Sequence, residues 1–535
     1  MAVETLIVGS GVAATALTQR LLEKNPAASI LILEAGRRVK TKDFALWENY
    51  LVANKLPYEQ FWDLNYPARD YPGENLSVGA TEVPLNQARV FAYGGSTLHW
   101  GGWAFRLKPE DFQLHSNTGK GGDWPFQYDE IEPYYGAAED YLAVSGDSKD
   151  KTVPRTKDYP FPAFPFTLED QPVSQACDRL GVPYGRLPIA RRGVSNVPSR
   201  HAPCQTTGTC KYCPFGARYV ASNYLDDIRE WNDYPNLEVR LGAVVESVVC
   251  SSKRKVAAVE YTDIATGEKL RVDAERVIIA AGTIESAKLL QRSTSSDWQK
   301  GIGNDSDMVG AHFMTHPYFI YTGLRKTNPK KLQAEMNFPT WVSRHFDSPT
   351  EQQAGKFVLV NPPDSNSSPA QSLAGRMQSG FTRREIDGYL AAGQSVQLHG
   401  MVEVFGEWQN QVKNSDQRRN HIGLIETVVN YSADPGFQAR MAQIKIEVQK
   451  IFKAMDADLT TDATVSWRAD HAASTCRMSA DPAQGVVDAD LRVHGVDNLF
   501  VCSNAVFPAL GSVNPTLTLT ALALRLGQYL NATSA

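Results

Sequence analysis

At the start of the chain, two short apolar runs are separated by a stretch in which apolar residues recur at helical spacing. Residues 5–8 and 29–34 are short, mostly apolar runs of strand length. Between them, apolar residues recur at helical spacing, as at Leu17, Leu21 and Leu22. The pattern predicts a strand, a helix and a second strand. The chain therefore opens with a βαβ-type unit.

The turn between the first strand and the helix has the sequence Gly-x-Gly-x-x-Ala, formed by Gly9, Gly11 and Ala14. Here the first glycine allows a tight turn, the second lets a pyrophosphate approach the backbone, and the small third residue lets helix and strand pack closely. Glu34 ends the second strand, about 20 residues further on, where a carboxylate binds a ribose and repels a 2′-phosphate. We expect a dinucleotide site that disfavours NADP; the turn alone does not separate NAD from FAD, and an ordinary βαβ unit is the alternative.

Further elements follow from the same periodicities. Helices are predicted over 131–143, 222–231, 283–290 and 437–455, and strands over 237–241, 243–249, 255–261, 270–272 and 276–282. The strand at 276–282 is apolar throughout and ends in small residues, so it fits the nucleotide sheet, which is then split along the chain. Alternating stretches at 395–404 and 422–429 predict a second sheet that builds a substrate pocket.

Two regions show little periodicity. Residues 40–90 are rich in aromatic residues, Pro and Asn, and we interpret them as an irregular excursion from the nucleotide domain. Residues 151–200 are Pro-rich and polar, which is typical of a linker or a domain-crossing loop.

Length and charge narrow the class of protein. The 535 residues exceed the ~250–300 at which one core stops growing, so two domains or one domain with large insertions is expected. The net charge of −5 gives no reason to expect nucleic acid or an anionic membrane as a partner. No apolar run approaches the ~18 residues of a membrane span, and no secretory leader precedes the first strand, so we expect a cytoplasmic protein.

A second Gly-rich segment lies at 94–102. Gly94 and Gly95 precede Ser96 and Thr97, and His99 and Trp100 precede another pair of glycines. Such a backbone can lie close to a flat ligand, with hydroxyl donors and an indole face at hand. A plain surface loop is the alternative.

Three of the seven cysteines cluster within ten residues, at Cys204, Cys210 and Cys213. Thiolates at this density can ligate iron, but a four-iron cluster needs a fourth ligand. These three cysteines could therefore hold a three-iron cluster or no cluster. The alternative is that they are buried free cysteines under a loop. The odd, scattered set does not indicate a disulfide framework.

The C-terminal part of the chain combines a candidate base with a helix start. A neutral imidazole at His471 can take a hydroxyl proton near physiological pH. Pro515 is predicted at the first position of a helix. Asn514 just before it can present its amide to a ligand, and the free N–H groups at Thr516 and Leu517 can stabilise negative charge.

These motifs occur in one order that resembles the glucose–methanol–choline (GMC) family of FAD oxidoreductases. The motifs are the turn at 9–14 with Glu34, the loop at 94–97, the strand end at 280–282, the run 314–317, and His471 followed by Asn514 and Pro515. The resemblance covers nearly the whole chain and is weakest between about 325 and 430.

The resemblance implies an α/β fold, α+β overall, with two domains. A Rossmann-like FAD-binding domain would comprise 1–150, 201–310 and 466–535. A separate, mainly antiparallel-sheet substrate domain would comprise 151–200 and 311–465. By this resemblance the FAD-binding residues are Gly9, Gly11, Ala14, Glu34, Gly94, Gly95, Ser96, Thr97, His99, Trp100, Val245, Ala281, Ser503, Asn504, Pro515 and Thr516.

The implied reaction is alcohol oxidation. His471 would accept the hydroxyl proton, Asn514 would hold the substrate oxygen, and the carbinol hydrogen would leave as hydride to flavin N5. The mixed Asn, Gln, Glu, His and Trp content of 325–465 favours a secondary hydroxyl of a sugar or glycoside. The alternatives are an alcohol or sterol oxidase with an apolar pocket and a flavin-bearing electron-transfer subunit of a complex.

Two details resemble particular branches of the family. The run 96–100 looks like that of pyranose oxidases, whose comparable histidine bonds covalently to the flavin, and of sugar dehydrogenases that keep the histidine without a bond; His99 is the candidate here. Cys204, Cys210 and Cys213 resemble the iron–sulfur segment of membrane-linked sugar dehydrogenases. The electron acceptor would be oxygen, a quinone or a cytochrome subunit, and a small partner subunit with an export signal could carry the protein to the periplasm.

Overall fold

The computed structural model describes residues 2–533 except 40, 42, 54–74, 86–87, 194–201, 206–212, 232–233, 326–335, 337, 348–355, 363–374, 392–393 and 420–424. The strands are β1 (Val3–Val8), β2 (Ile30–Glu34), β3 (Asn75–Ser77), β4 (Ser145–Gly146), β5 (Phe161–Pro162), β6 (Gly185–Arg186), β7 (Leu237–Leu241), β8 (Ala243–Ser252), β9 (Lys255–Asp263), β10 (Lys269–Ile279), β11 (Pro317–Arg325), β12 (Trp341–Ser343), β13 (Phe357–Asn361), β14 (Gln394–Val402), β15 (Gln411–Arg419), β16 (Ile425–Asn430), β17 (Ala457–Leu459), β18 (Thr464–Trp467) and β19 (Leu499–Val501). The α-helices are α1 (Val12–Lys24), α2 (Phe44–Ala53), α3 (Leu114–Thr118), α4 (Tyr128–Tyr141), α5 (Gln171–Leu180), α6 (Ala221–Trp231), α7 (Gly282–Arg292), α8 (Arg383–Ala391), α9 (Phe437–Ala454) and α10 (Thr516–Thr533).

The first sheet has the strand order β7-β2-β1-β10-β9-β8, with β19 also paired to β10. Strands β7, β2, β1, β10 and β19 pair in parallel. The apolar residues of β1, β2, β19 and the second half of β10 are mostly buried, as expected for the centre of a parallel sheet covered on both faces, whereas the edge strand β7 is largely accessible. The predicted split of this sheet along the chain is confirmed. Helices α1 and α4 both pack against α10 beside this sheet.

Strand β10 corrects one prediction. The strands predicted separately at 270–272 and 276–282 are one continuous strand, Lys269–Ile279. Its first half pairs antiparallel with β9 and its second half pairs parallel with β1 and β19. The polar residues of the first half concealed the continuity, because that half is exposed and only the second half is buried.

The second sheet is antiparallel, with the order β17-β11-β14-β13-β12-β6 and β18 also paired to β11. Its apolar core includes Phe319, Leu398 and Phe452, the last of which belongs to α9. The stretch 395–404 belongs to this sheet, as predicted. The prediction that 422–429 joins it is wrong, because β16 pairs with β15 and β3 in a separate three-stranded sheet.

The two regions of weak periodicity contain helices, which corrects both interpretations. Helix α2 lies in 40–90, and its sequence is apolar at most positions, so it shows no amphipathic period. Helix α5 and strand β6 lie in 151–200, where Val173, Ala176 and Cys177 are buried in the same core as α9. Burial against a distant helix, rather than a long local pattern, stabilises α5.

Helix boundaries differ from prediction where local hydrogen bonds set them. Helix α4 begins at Tyr128 rather than 131, because the Gln127 N–H donates to Glu130 Oε1 at 2.9 Å in a capping box. The helix predicted over 437–455 is α9; its apolar residues Ile444, Val448, Ile451 and Phe452 are buried, whereas Ile446 is exposed. Pro515 precedes α10 instead of occupying its first position, and its carbonyl accepts the Leu519 N–H at 3.0 Å. Among the described helices, none has the length and apolar content needed to cross a membrane.

Candidate cofactor and catalytic site

A cavity of about 430 Å³ lies where the carboxyl ends of β1, β2 and β10 meet the N-termini of α1, α7 and α10. Ligands of parallel α/β sheets bind at such carboxyl ends. The predicted site residues that line this cavity are Gly9, Gly11, Glu34, Gly95, Ser96, Thr97, His99, Trp100, Val245, Ala281, His471, Ser503, Asn504, Asn514 and Thr516. Ala14, Gly94 and Pro515 are buried and do not line it.

The two glycines of the first turn differ in their surroundings. Gly9 has φ +98°, and a Cβ there would lie 2.7 Å from the carbonyl oxygen of Ala280. Gly11 is the N-cap of α1, and a Cβ there would meet no atom within 4 Å, so this side of the turn opens into the cavity. No side chain caps α1, so its first N–H groups are available to an anion.

Glu34 joins the first turn to the second Gly-rich segment. Its Oε2 accepts hydrogen bonds from the Ser10 N–H at 3.0 Å and the Ser10 hydroxyl at 2.6 Å, and its Oε1 accepts the Gly36 N–H at 2.8 Å. The Ser10 hydroxyl in turn accepts the Gly94 N–H at 3.0 Å. Burial raises the pKa of Glu34 above its ordinary value. The sequence did not single out Ser10, which occupies a variable position of the glycine motif.

Most of the segment 94–102 lines one wall of the cavity, although Gly94 and Leu98 do not. The Thr97 hydroxyl donates to the Gly94 carbonyl at 2.6 Å and accepts the Ala221 N–H at 2.9 Å. The Trp100 indole N–H donates to the Tyr219 carbonyl at 2.9 Å, which fixes the ring at the cavity wall. Burial, assisted by the charges of Arg218 and Arg468, lowers the pKa of His99 to about 4, so this imidazole is neutral at neutral pH.

His471 and Asn514 meet at the wall of the cavity. Asn514 Nδ2 lies 2.9 Å from His471 Nε2. His471 Nδ1 lies 3.1 Å from Nδ1 of His316, whose Nε2 lies 2.8 Å from the carbonyl oxygen of Gly511. The structure therefore brings together the two residues singled out at the C-terminus, 43 positions apart, and adds His316 from the run 314–317.

The protonation state of His471 follows from its burial. Burial lowers its pKa well below 6.5, and the charge of Arg468, with that of His316 whenever His316 is protonated, lowers it further. Burial likewise lowers the pKa of His316 to about 4. Both imidazoles are therefore neutral at neutral pH, which is the state that a proton acceptor requires.

A buried ionic cluster at another part of the cavity was not predicted. Glu285 Oε1 lies 2.6 Å from Arg89 Nη1 and 2.9 Å from Lys288 Nζ, and Oε2 lies 3.8 Å from Arg292 Nη1. Burial raises the pKa of Glu285, but these cations outweigh that effect and lower the pKa to about 2. Arg89 and Glu285 are 196 positions apart, so no local pattern could reveal the pair. The spacing of Glu285, Lys288 and Arg292 on one helix face was the one available signal.

The cysteine segment is described only in part. Cys204 is buried and Cys213 is half-buried, and both are free thiols, while Cys210 lies outside the described residues. Cys204 Sγ lies 3.8 Å from Arg191 Nη1. Within the described ranges, no group of three or more His, Cys, Asp or Glu residues is arranged to hold a metal ion.

The residues at the cavity fit a dinucleotide with a flat ring system. Gly11 leaves room for a phosphate at a helix N-terminus. Among the described residues, the Oδ1 atoms of Asn504 and Asn514 are buried without a hydrogen-bond partner, and both residues line the cavity. A bound group that donates hydrogen bonds would satisfy these two oxygens.

The fold and this cavity define an FAD-dependent oxidoreductase acting on CH–OH groups. The GMC oxidoreductase family profiles match residues 3–318 and 407–523. The chain therefore belongs to the GMC oxidoreductase family, which confirms the resemblance seen in the sequence and the expected fold class. Members of this family bind FAD.

Individual relatives are similar to this chain over nearly its whole length. The fructose dehydrogenase large subunit of Gluconobacter japonicus is 27% identical, over 98% of this chain and 97% of that protein. The gluconate 2-dehydrogenase flavoprotein of Pantoea cypripedii is 24% identical, over 96% and 94%. The solved structure of pyridoxine 4-oxidase from Mesorbium loti has a TM-score of 0.64 at 19% identity, covering 98% and 99% of the two chains, and shows the shared fold.

Proposed function

We propose that this oxidoreductase converts a secondary hydroxyl of a sugar or glycoside into a ketone, with His471 as the base and Asn514 as the group that orients the hydroxyl. The contact of 2.9 Å between Asn514 Nδ2 and His471 Nε2 at the cavity wall carries the proposal. It places a neutral proton acceptor and an amide donor where one hydroxyl oxygen can contact both.

The chain's own residues supply positioning and proton transfer. FAD, when bound, supplies the acceptor for the two electrons that leave the carbinol carbon. His471 takes the hydroxyl proton at Nε2, and the Asn514 amide donates to the substrate oxygen as negative charge develops there. Gly11 and the N-terminus of α1 hold the diphosphate, and Glu34 binds the adenosine ribose. Thr516 lines the cavity at the start of α10, and the N-terminus of a helix favours negative charge nearby.

The relatives support a polyhydroxyl substrate. They include proteins named as dehydrogenases of fructose and of gluconate, and another named as paromamine 6'-oxidase from Streptomyces fradiae. Arg468 and Asp470 line the same cavity as His471 and can bind several hydroxyl groups. We therefore place the sugar between these two side chains and Asn514.

The test is anaerobic reduction of the bound flavin, followed by its visible absorbance, with a panel of aldoses, ketoses and glycosides. We expect one sugar to bleach the flavin band of the wild-type protein. His471→Ala should bind flavin and lower the limiting reduction rate by about 10²- to 10⁴-fold, because it removes the proton acceptor. His115→Ala, on an exposed surface, is the matched control and should react like the wild type.

Three outcomes would contradict the proposal. Unchanged reduction of His471→Ala would exclude this residue as the base. Bleaching by apolar alcohols but by no sugar would identify the pocket of an alcohol or sterol oxidase. An intact flavin band that no alcohol bleaches would favour an electron-transfer subunit.

The same samples test the finer features of the cofactor. We propose that His99 holds the flavin covalently, in which case acid-precipitated protein stays yellow and the precipitate of His99→Asn is colourless. An iron–sulfur cluster on Cys204, Cys210 and Cys213 would leave brown absorbance after the flavin is bleached, and Cys213→Ser would remove it. A colourless wild-type precipitate, or no residual absorbance, would contradict the respective feature.

The domain division and the electron acceptor are further parts of the proposal. We assign 1–150, 201–310 and 466–535 to FAD binding and 151–200 and 311–465 to the substrate side. Reoxidation of the reduced protein by air, by a soluble quinone and by a cytochrome identifies the acceptor as oxygen, a quinone or a cytochrome-bearing partner. A small partner subunit would raise the rate with one of these acceptors when it is added back.

A further inference from the structure

His316 is a buried histidine to which the proposed reaction gives no task. It is 4% exposed, and both of its ring nitrogens have partners. A backbone carbonyl can only accept a hydrogen bond, so the hydrogen between Gly511 O and His316 must lie on Nε2 of His316. A neutral imidazole carries one such hydrogen, so Nδ1 of His316 is an acceptor.

The tautomer of His471 follows from this assignment. Because Nδ1 of His316 accepts, the hydrogen in the 3.1 Å contact between the two Nδ1 atoms belongs to His471. Nε2 of the neutral His471 is then without hydrogen. The Asn514 amide, which donates from Nδ2 at 2.9 Å, agrees with this assignment at the other end of the chain of bonds.

We propose that His316 is a positioning residue that keeps the hydrogen of His471 on Nδ1, and so leaves Nε2 of His471 as the proton acceptor facing Asn514. This inference rests on the proposed role of His471 as the base. It adds that His471 depends on His316, 155 positions away. The two histidines are joined through Nδ1 of His471, whereas Asn514 contacts Nε2 of the same ring.

Backbone and side-chain bonds hold both histidines in place. Met314 and Ala473 exchange backbone hydrogen bonds, with the Ala473 N–H donating at 2.9 Å, and the Thr315 hydroxyl donates to the Arg468 carbonyl at 2.6 Å. The segments that carry His316 and His471 are therefore joined on either side of the contact. The imidazole planes are nearly perpendicular, at 88°.

The carbonyl of Gly511, which determines the tautomer of His316, is held in place by its neighbours. Gly511 has φ +60°, and the next residue, Ser512, donates its hydroxyl to Asp347 Oδ1. Asp347 is fully buried and paired with Arg344. The Gly511 carbonyl thus has one direction relative to His316, and the tautomer follows from a buried ion pair that does not touch His471.

The test compares two replacements of His316 in the flavin-loaded protein. His316→Leu removes both hydrogen bonds, and we expect the limiting rate of flavin reduction to fall about 10- to 100-fold, because His471 loses its tautomer and its orientation. The dissociation constant of the sugar should change less than about threefold. His316→Gln keeps one donor and one acceptor on a neutral amide and should recover to within about fivefold of the wild type.

His312→Leu is the matched control. His312 is also a buried histidine bonded to a carbonyl, Gly406 O at 3.0 Å, but His316 and not His312 contacts His471. We expect this variant to lose stability without losing reduction rate. If His316→Leu does not fold, His316→Asn replaces it, since this amide is one methylene too short to reach both partners, and the same loss is expected.

Other outcomes overturn the inference. A wild-type limiting rate in His316→Leu or His316→Asn would exclude a positioning role. Equal loss in His316→Gln and His316→Leu would show that a donor and an acceptor are not what His316 contributes. His471→Ala, measured alongside, distinguishes failure of the proposed base from failure of the positioning role. If flavin is reduced at the wild-type rate in His471→Ala, the proposed base is wrong. If reduction is slow in His471→Ala but normal in His316→Leu, only the positioning role of His316 is overturned.

Discussion

Two glycines of one motif are required for different physical reasons. Gly9 has a positive φ and lies against the backbone of Ala280, so the folded chain itself requires it. Gly11 has an ordinary extended conformation and open space around it, so the fold would accept a side chain there. We therefore propose that the glycine at position 11 serves the ligand rather than the fold.

Alanine at these two positions should separate the two requirements. We expect Gly11→Ala to leave the melting temperature of the flavin-free protein unchanged and to lower its affinity for FAD, because the methyl group projects into the cavity. Gly9→Ala should lower the melting temperature of the flavin-free protein, because the methyl group would lie 2.7 Å from a carbonyl oxygen. Thermal unfolding and FAD titration measure both effects, and a destabilised Gly11→Ala would contradict this account.

Helix α7 links the cofactor cavity to the three-stranded sheet. Glu285 lines the cavity and binds Lys288, whose amino group also donates to the Thr427 hydroxyl of β16 at 2.9 Å. Burial lowers the pKa of Lys288 to about 8 despite Glu285. A single carboxylate therefore balances the buried Lys288 and the half-buried Arg89 and Arg292, and it connects two layers of the structure.

Glu285→Gln should destabilise the protein by about 3 kcal/mol or more, because it leaves buried cations without a counter-charge. The pKa of Glu285 is lowered to about 2, so the stabilisation is complete above pH 4.5 and is lost as the pH falls toward 2. Urea unfolding at pH 7 measures the loss. Asp497→Asn, in the exposed pair with Arg254, is the control and should unfold like the wild type; equal stability of both variants would contradict the prediction.

Several histidines are buried and neutral at neutral pH, in the strand β14 and in the segments around the cavity. Burial lowers the pKa of His99, His312, His316 and His399 to about 4, and that of His471 well below 6.5. In the unfolded chain these groups titrate near 6.5. The unfolded state therefore binds more protons than the folded state between these values.

Acid should therefore destabilise the whole molecule before its carboxylates titrate. Stability is fully present above pH 6.5 and should fall by several kcal/mol as the pH drops from 6.5 toward 4, since each pKa unit of difference is worth about 1.4 kcal/mol per group. Melting temperatures of the flavin-loaded protein at pH 7.5, 6.5, 5.5 and 4.5 measure this. A constant melting temperature between pH 7.5 and 5 would contradict it.

Much of the fold could be predicted because its cues are local. The turn at 9–14, Glu34 at the end of β2, and the apolar end of β10 depend on backbone sterics and on the burial period of a few neighbouring residues. The order of the motifs along the chain indicated the family. His471 and Asn514 could be singled out because each lies in a short segment with its own chemical pattern.

Pairings between distant segments could not be predicted from local sequence patterns. The continuity of β10, the separate sheet of β3, β15 and β16, and helix α5 depend on which remote surfaces cover them. The contacts of Glu285 with Arg89 and of His316 with His471 join residues 196 and 155 positions apart. Residue types and spacing thus specify turns, elements and candidate chemistry, because those forces act between neighbours. Partners, protonation states and tautomers arise only when folding removes water and brings distant groups within hydrogen-bond distance.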